Sequence, residues 1–100
     1  MRGSSDRSLL VLTSLAGGPK HGYALIQDIE AFAGVSLGAG SLYGCLAKLE
    51  ADGLIEPLPE EDRRRPYGIT ESGMAVLRER LTESRRIATI GLTRLRGALG

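Results

Sequence analysis

The stretch from residue 37 to residue 70 is LGAGSLYGCLAKLEADGLIEPLPEEDRRRPYGIT. Its first part places apolar residues three and four positions apart, which predicts a helix that runs to about Asp52. These apolar positions are Leu42, Cys45, Leu46 and Leu49. Residues 54–58 and 67–70 are suited to two short paired strands, and the six charged residues flanked by prolines between them predict the loop of a hairpin. A short helix followed by a two-stranded hairpin therefore decides the fold.

Two amphipathic helices are predicted ahead of this unit. The first is expected to begin at a capping cluster and to end at the glycine pair 17–18. The cluster consists of Ser4, Ser5 and Asp6, and the apolar positions are Leu9, Leu12, Leu15 and Ala16. The second ends at Gly34 and carries Leu25, Ile26, Ile29, Phe32 and Ala33. A glycine at either end of the connection 34–38 permits the left-handed conformation that a helix-turn-helix corner needs.

A long helix is predicted after the hairpin. Thr70 is expected to cap it, and a run to about Gly97 gives roughly 40 Å, too long for so small a body to cover. Its apolar stripe consists of Met74, Leu77, Leu81, Ala88, Leu92, Leu95 and Leu99. Small residues along the middle of this stripe would let a second helix approach closely, which predicts a two-fold homodimer. The alternative is a helix folded back on its own core.

Length and composition predict a single domain with two parts, the helix and hairpin region 1–70 and the helix 71–100. Of the 100 residues, 42% are apolar and 25% are charged, as in ordinary globular proteins. The apolar runs are too short to cross a membrane, and the N-terminus lacks the apolar segment of a secretory signal. The lone Cys45 cannot form an internal disulfide, so we expect a reducing compartment, the cytoplasm by default.

Charge is distributed unevenly along the chain. The net charge is only +1, which gives little general support for a nucleic-acid partner. Residues 1–70 contain seven Arg or Lys and nine Asp or Glu, whereas residues 71–100 contain six Arg and three Glu. Basic charge is therefore local, at the hairpin tip and along the last helix.

The chemistry of an enzyme is not evident in the sequence. One histidine, one cysteine and scattered carboxylates cannot assemble a zinc site, and no glycine-rich phosphate loop is present. Ser41 and His21 could suggest a nucleophile and base, but no acid is placed to orient the imidazole. His21 is instead expected to be a hydrogen-bonding residue at a helix start. We therefore predict no catalytic residue, no metal ligand and no cofactor.

Several linked motifs resemble the PadR family of bacterial transcriptional regulators. They are HGY at 21–23, GSLY at 40–43, Leu46, KLE at 48–50, DGLI at 52–55, Tyr67, ITE at 69–71 and Gly73. The resemblance covers about residues 8–75. It implies a winged helix-turn-helix, mainly α, with a three-helix core, a small β-hairpin wing and a long C-terminal dimerisation helix. It also implies a dimeric repressor that binds double-stranded DNA, with the third helix in the major groove and the wing on the flanking backbone.

The residues of this chain suit those roles. Ser41 and Tyr43 offer hydroxyl groups near the start of the third helix, and Lys48 lies seven residues beyond Ser41 on the same face. The predicted DNA-binding residues are Ser41, Tyr43, Lys48, Arg63, Arg64, Arg65, Tyr67, Tyr23 and His21. The predicted dimer interface is Met74, Leu77, Leu81, Ala88, Leu92 and Leu95. The alternatives are that Tyr43 packs against the second helix and that the adjacent acidic residues neutralise the three arginines.

The sequence also departs from the family pattern. Gly38 and Ala39 replace a common Ser-Pro, Gly44 replaces a frequent proline, and Ala47 stands where a basic residue is usual. The exposed face is thereby left poor in base-reading groups, so specificity is either modest or carried by Tyr43, Lys48 and DNA shape.

Two other functions stay open. One is a winged helix that only docks to protein. The other is mainly a ligand sensor, since the resemblance implies a pocket for a small hydrophobic or aromatic effector near the dimer interface. The chain has only four aromatic residues, none of them beyond Tyr67, so a stacking pocket on the last helix is not evident.

Overall fold

The computed structural model describes residues 3–99, with side chains from 7 to 98. The elements in order are α1 (Gly3–Ala16), α2 (Gly22–Ala33), α3 (Ala39–Ala51), β1 (Ile55–Pro57), β2 (Tyr67–Ile69) and α4 (Glu71–Leu99). The predicted winged helix-turn-helix, mainly α with a small hairpin, is confirmed. The predicted α1 cap formed by Ser4, Ser5 and Asp6, and the last stripe residue Leu99, have side chains outside the described residues.

The core lies where α1, α2 and α3 meet, and the hairpin and the first turns of α4 close it. Its buried side chains are Val11, Leu12, Leu15, Leu25, Ile29, Leu42, Leu46, Leu49, Ile55 and Leu77. Leu77, which was predicted at the dimer interface, is only 6% exposed, because the start of α4 packs on α1 and the side chain contributes to the core of the protomer. Phe32 was expected on the inward stripe of α2 but is 46% exposed, because it lies in the last turn, beyond the core.

The helix ends follow from local backbone chemistry. Gly34 ends α2 with φ of 69°, and Gly53 follows α3 with φ of 76°, both in the left-handed region that favours glycine. The Thr70 hydroxyl accepts from the Gly73 amide at 3.0 Å, as the predicted cap of α4 requires, and donates to the Gly53 carbonyl at 2.7 Å. The end of α3 and the start of α4 are therefore tied through one side chain.

The hairpin is attached to the start of α2. β1 and β2 pair antiparallel, with Ile55 opposite Ile69 and Pro57 opposite Tyr67. On the other side of β2, the Lys20 amide donates to the Tyr67 carbonyl at 3.1 Å, and the Tyr67 amide donates to the Lys20 carbonyl at 2.9 Å. This reciprocal pair fixes the base of the wing beside the first turn of α2.

A polar network holds the α1–α2 corner. The buried hydroxyl of Ser14 donates to the Asp28 carboxylate at 2.5 Å, and the Lys20 ammonium donates to the Ser14 carbonyl at 2.6 Å. Lys20 also lies 3.9 Å from the Asp28 carboxylate. Lys20 is thus engaged within the protomer, and its charge stabilises the fold.

The distal part of α4 projects from the body. The molecule measures 57 × 26 × 22 Å, and its radius of gyration of 15.4 Å exceeds the value of about 13 Å typical of a compact 100-residue domain. From Leu81 to residue 98 every side chain is exposed. Within the described part of the chain, no helix combines the length and apolar character needed to cross a membrane.

Two helical glycines are expected to respond oppositely to alanine. A Cβ on Gly44 would meet nothing, so Gly44→Ala should raise the free energy of unfolding by about 1 kcal/mol through helix propensity. A Cβ on Gly73 would collide with the Leu54 carbonyl, which already accepts the Thr70 amide at 3.1 Å. Gly73→Ala should therefore lower the same quantity by about 1–3 kcal/mol. Urea denaturation of both variants tests this pair, and shifts in the same direction would contradict it.

Candidate nucleic-acid interface

The exposed face of α3 is flat along its middle. At 3.6 residues per turn, three small residues lie along the centre of that face. They are Gly40, Gly44 and Ala47, all exposed. Tyr43 borders this strip on the side of α2, whereas Ser41 and Lys48 border it on the side of α1. The backbone of α3 can therefore approach a flat surface or a groove closely, with polar side chains at both edges.

The start of α3 leaves backbone donors available. Gly38 occupies the cap position with φ of −78° and ψ of 157°, and it provides no side-chain acceptor. The first amides of a helix have no intrahelical partner, and they favour an anion at this position. Ser41 adds an exposed hydroxyl in the same turn. This end of the helix is suited to contact with a phosphate.

The Tyr43 side chain packs against α2 on one side and is exposed on the other. Its hydroxyl and ring lie over Gly22, where an added Cβ would collide with them. The side chain is nevertheless 53% exposed. The alternative of packing against α2 thus describes part of the ring, while more than half of the side chain stays accessible to a partner. Gly22 is needed here because only a residue without a side chain lets the tyrosine sit so close to α2.

The wing tip, predicted as the loop of a hairpin, is a hydrogen-bonded turn. The Glu61 amide donates to the Arg64 carbonyl at 2.7 Å, and the Arg64 amide donates to the Glu61 carbonyl at 2.8 Å. Asp62 and Arg63 between them have φ of 49° and 65°, the left-handed pair of a type I′ turn. The turn therefore presents its arginines from a defined backbone.

The three wing arginines have different environments. Arg64 Nη1 lies 3.2 Å from His21 Nε2, and Arg65 Nη1 donates to the Leu58 carbonyl at 2.9 Å. Arg63 makes no hydrogen bond or ion pair with another described residue. Among the described side chains, none of the three forms an ion pair with the neighbouring acidic residues. The neutralisation considered from the sequence is therefore not observed.

Seven of the nine predicted DNA-binding residues meet in one surface depression of about 240 Å³, which we call the wing cluster. They are His21, Tyr23, Tyr43, Arg63, Arg64, Arg65 and Tyr67. Tyr23 is 62% exposed, and its hydroxyl accepts from Gln27 at 3.3 Å. Residues that lie more than 40 positions apart in sequence are thus brought to one surface by the attachment of the wing to α2.

The other two predicted residues, Ser41 and Lys48, line a second depression of about 250 Å³ together with Arg7. Lys48 lies 3.6 Å from Asp52, and both side chains are exposed, so the pair contributes little to stability. Arg7 was not expected here. The one feature of the sequence that could have predicted Arg7 at this surface is its position on α1, one turn before the first core residue Val11.

The single histidine and the single cysteine of the chain both contact other parts of the protomer. His21 caps α2, with its Nδ1 accepting from the Ala24 amide at 3.3 Å, as the sequence predicted. Cys45 is partly buried, with its sulfur 3.8 Å from the Ser8 hydroxyl. Within the described residues, no three His, Cys, Asp or Glu side chains are grouped so that they could hold a metal ion.

Comparison with solved structures shows a shared fold. A PadR family transcription regulator from Clostridium difficile superposes with a TM-score of 0.77 at 21% identity, covering 84% of this chain and 92% of that one. A transcriptional regulator from Clostridium thermocellum gives a TM-score of 0.75 at 24% identity, covering 86% of both chains. A PadR-like transcription factor from Bacteroides fragilis gives 0.77 at 21% identity, covering 87% of both.

Comparison of sequences identifies the family. An uncharacterized 37.1 kDa protein in transposon TN4556 of Streptomyces fradiae is 50% identical over 74 residues, which are 74% of this chain and 21% of that protein. The chain thus spans about a fifth of that relative's length. The model of the transcriptional regulator PadR-like family matches residues 11–79. Since this match covers well over half of the chain, the protein belongs to the PadR-like family of transcriptional regulators.

Proposed function

We propose that this protein is a DNA-binding repressor in which α3 enters the major groove and the wing lies along the flanking backbone. The observation that carries the proposal is the wing cluster, where three exposed arginines without acidic partners lie beside the half-exposed Tyr43. Guanidinium groups bind phosphates well, and phosphate contacts supply much of the affinity of proteins for DNA. The proposed DNA surface is therefore local, which accounts for binding by a chain of nearly neutral net charge.

The exposed face of α3 is suited to close approach of the helix backbone to DNA, but it carries few side chains that could recognise bases. Its central strip of small residues lets the backbone come near the groove floor, and Tyr43, Ser41 and Lys48 are the groups placed to contact DNA at its edges. Lys48 can reach a guanine edge or a phosphate, because its exposed pairing with Asp52 is weak. With so few base-contacting groups, sequence preference rests largely on DNA shape.

We further propose that α4 mediates a two-fold homodimer, which would place two such surfaces on one duplex. The large apolar side chains on its stripe remain exposed: Met74 at 44%, Leu81 at 42%, Leu92 at 62% and Leu95 at 61%. The small residues Ser84, Ala88 and Gly91 lie between them, so a second helix can approach closely. Two further apolar side chains of α4, Ile87 and Ile90, are exposed outside the predicted stripe. At 3.6 residues per turn, Ile87 borders the stripe beside Gly91, and Ile90 lies on the opposite face.

A small effector has one candidate position. A cavity of about 400 Å³ lies between the end of α1 and α4, lined by Ala16, Met74, Leu77, Arg78, Leu81, Thr82 and Arg85. The lining is apolar apart from two arginines and a threonine, and it contains no aromatic ring. This composition favours a small hydrophobic anion over an aromatic compound held by stacking.

Replacing the three wing arginines together tests DNA binding. The variant with Arg63, Arg64 and Arg65 changed to alanine should bind a random duplex at least tenfold more weakly than the parent at low salt, because phosphate contacts are lost. Its logarithmic salt dependence should also be shallower, by about 0.9 for each lost contact. Fluorescence anisotropy at several salt concentrations measures both. Equal and salt-insensitive binding curves would contradict DNA binding and favour a protein-docking module.

Charge placed on the α4 stripe tests the dimer. Leu81→Asp should give a monomer, because a carboxylate on the proposed interface cannot be buried without a partner. Since Leu81 is 42% exposed in the protomer, the fold should survive the change. Ile90→Asp, on the opposite face and similarly exposed at 44%, is the matched control and should stay dimeric. Light scattering that still showed a dimer for Leu81→Asp would exclude this stripe as the interface.

A further inference from the structure

The imidazole of His21 lies between two hydrogen-bond donors. The Ala24 amide points at Nδ1 at 3.3 Å, closing the cap of α2. On the other side of the ring, Arg64 Nη1 lies 3.2 Å from Nε2. Both neighbours are nitrogen donors, and neither can accept a hydrogen bond.

A neutral imidazole cannot accept from both of them. It has one nitrogen lone pair, and its other nitrogen carries a proton. In the tautomer that caps α2, Nε2 bears that proton, and an N–H of the ring then faces an N–H of Arg64. In the other tautomer, Nε2 accepts from Arg64, but the side-chain cap of α2 is lost. When the cap is kept, two donors, Nε2–H and the guanidinium, lie side by side and need an acceptor that serves both.

The described side chains do not supply an acceptor for these two donors. Glu61 and Asp62 line the adjoining surface depression of about 400 Å³ together with His21, Arg64 and Pro66. Neither carboxylate forms a hydrogen bond or an ion pair with His21 or Arg64. The matching group is an external one that carries several acceptor oxygens and a negative charge. A DNA phosphate meets both conditions and is the anion that the wing cluster is proposed to approach.

We propose that His21 and Arg64 together hold a single phosphate of the bound duplex, with Nε2–H and the guanidinium donating to its oxygens. This inference rests on the proposed function and adds to it one phosphate position shared by the helix-turn-helix and the wing. Backbone contacts fix the positions of both His21 and the wing that carries Arg64. His21 is held by its own cap, and the Lys20–Tyr67 backbone pair sets the distance of the wing from α2. Arg64 is thereby distinguished from Arg63, which lies on the same turn without such a partner.

The two residues can be tested by a double-mutant cycle. His21→Asn keeps a side-chain oxygen to cap α2 but removes the Nε2–H donor, and Arg64→Gln removes the guanidinium. Each single variant should bind a random duplex about tenfold more weakly than the parent. The double variant should also be about tenfold weaker, rather than a hundredfold, because either change abolishes the shared contact.

Arg63→Gln is the matched control. This variant removes an arginine from the same turn, but Arg63 has no described contact with His21. The fold-losses in DNA affinity caused by Arg63→Gln and by His21→Asn should therefore multiply in the double variant. Thermal denaturation of all variants verifies that the α2 cap is retained. His21→Ser, a second capping substitution, replaces His21→Asn if that variant unfolds.

The possible outcomes separate this inference from the proposed function. If the fold-losses in DNA affinity multiply for His21→Asn combined with Arg64→Gln, as expected for His21→Asn combined with Arg63→Gln, the two residues do not share a phosphate. That result would leave the proposed DNA binding intact. A parent protein without salt-dependent affinity for duplex DNA would overturn both. Coupling confined to the His21 and Arg64 pair is the result that the inference predicts.

Discussion

The backbone pair between Lys20 and Tyr67 is the constraint on which the candidate site depends. Its two reciprocal hydrogen bonds, 3.1 and 2.9 Å long, attach the second strand of the wing to the segment that leads into α2. Without that attachment, a two-stranded hairpin of three residues per strand would be marginal and free to move. With it, the arginines of the turn lie beside the start of α2, where Gly22 also receives Tyr43 from α3. One backbone pair thus unites the wing, α2 and α3 into a single surface.

The wing provides the positive charge of this surface, and α3 provides its flat shape. The arginines are concentrated at the wing, and α3 contributes a flat strip of small residues with one half-exposed tyrosine. Lysine is hardly used, since Lys20 is bound into the α1–α2 corner and Lys48 lies near Asp52. The proposed surface therefore relies on a few positioned guanidinium groups rather than on a broad basic field. Such a surface would bind DNA strongly only where both the wing and α3 fit the duplex.

Local chemistry made much of this fold predictable from sequence. Glycines and prolines bound the elements, apolar spacing identifies three core helices, and Thr70 caps α4 as expected. Features that depend on tertiary contacts could not be predicted from the sequence. The burial of Leu77 depends on α1 packing against α4, and the exposure of Phe32 on where the core ends. Arg7 joins Ser41 and Lys48 only through the placement of α1 beside α3. The hairpin loop was predicted, but its tight turn was not, because Asp62 and Arg63 have positive φ although neither is glycine.

In the proposed complex, α3 and the wing bind one duplex as a single surface. The most direct measurement is a titration of the isotopically labelled protein with duplex DNA, followed by the amide NMR signals of every residue. If α3 and the wing bind together, signals from residues 40–48 and 61–65 should shift together along one binding curve, while those from residues 86–98 stay in place. Shifts confined to the distal part of α4, with α3 and the wing unchanged, would contradict it.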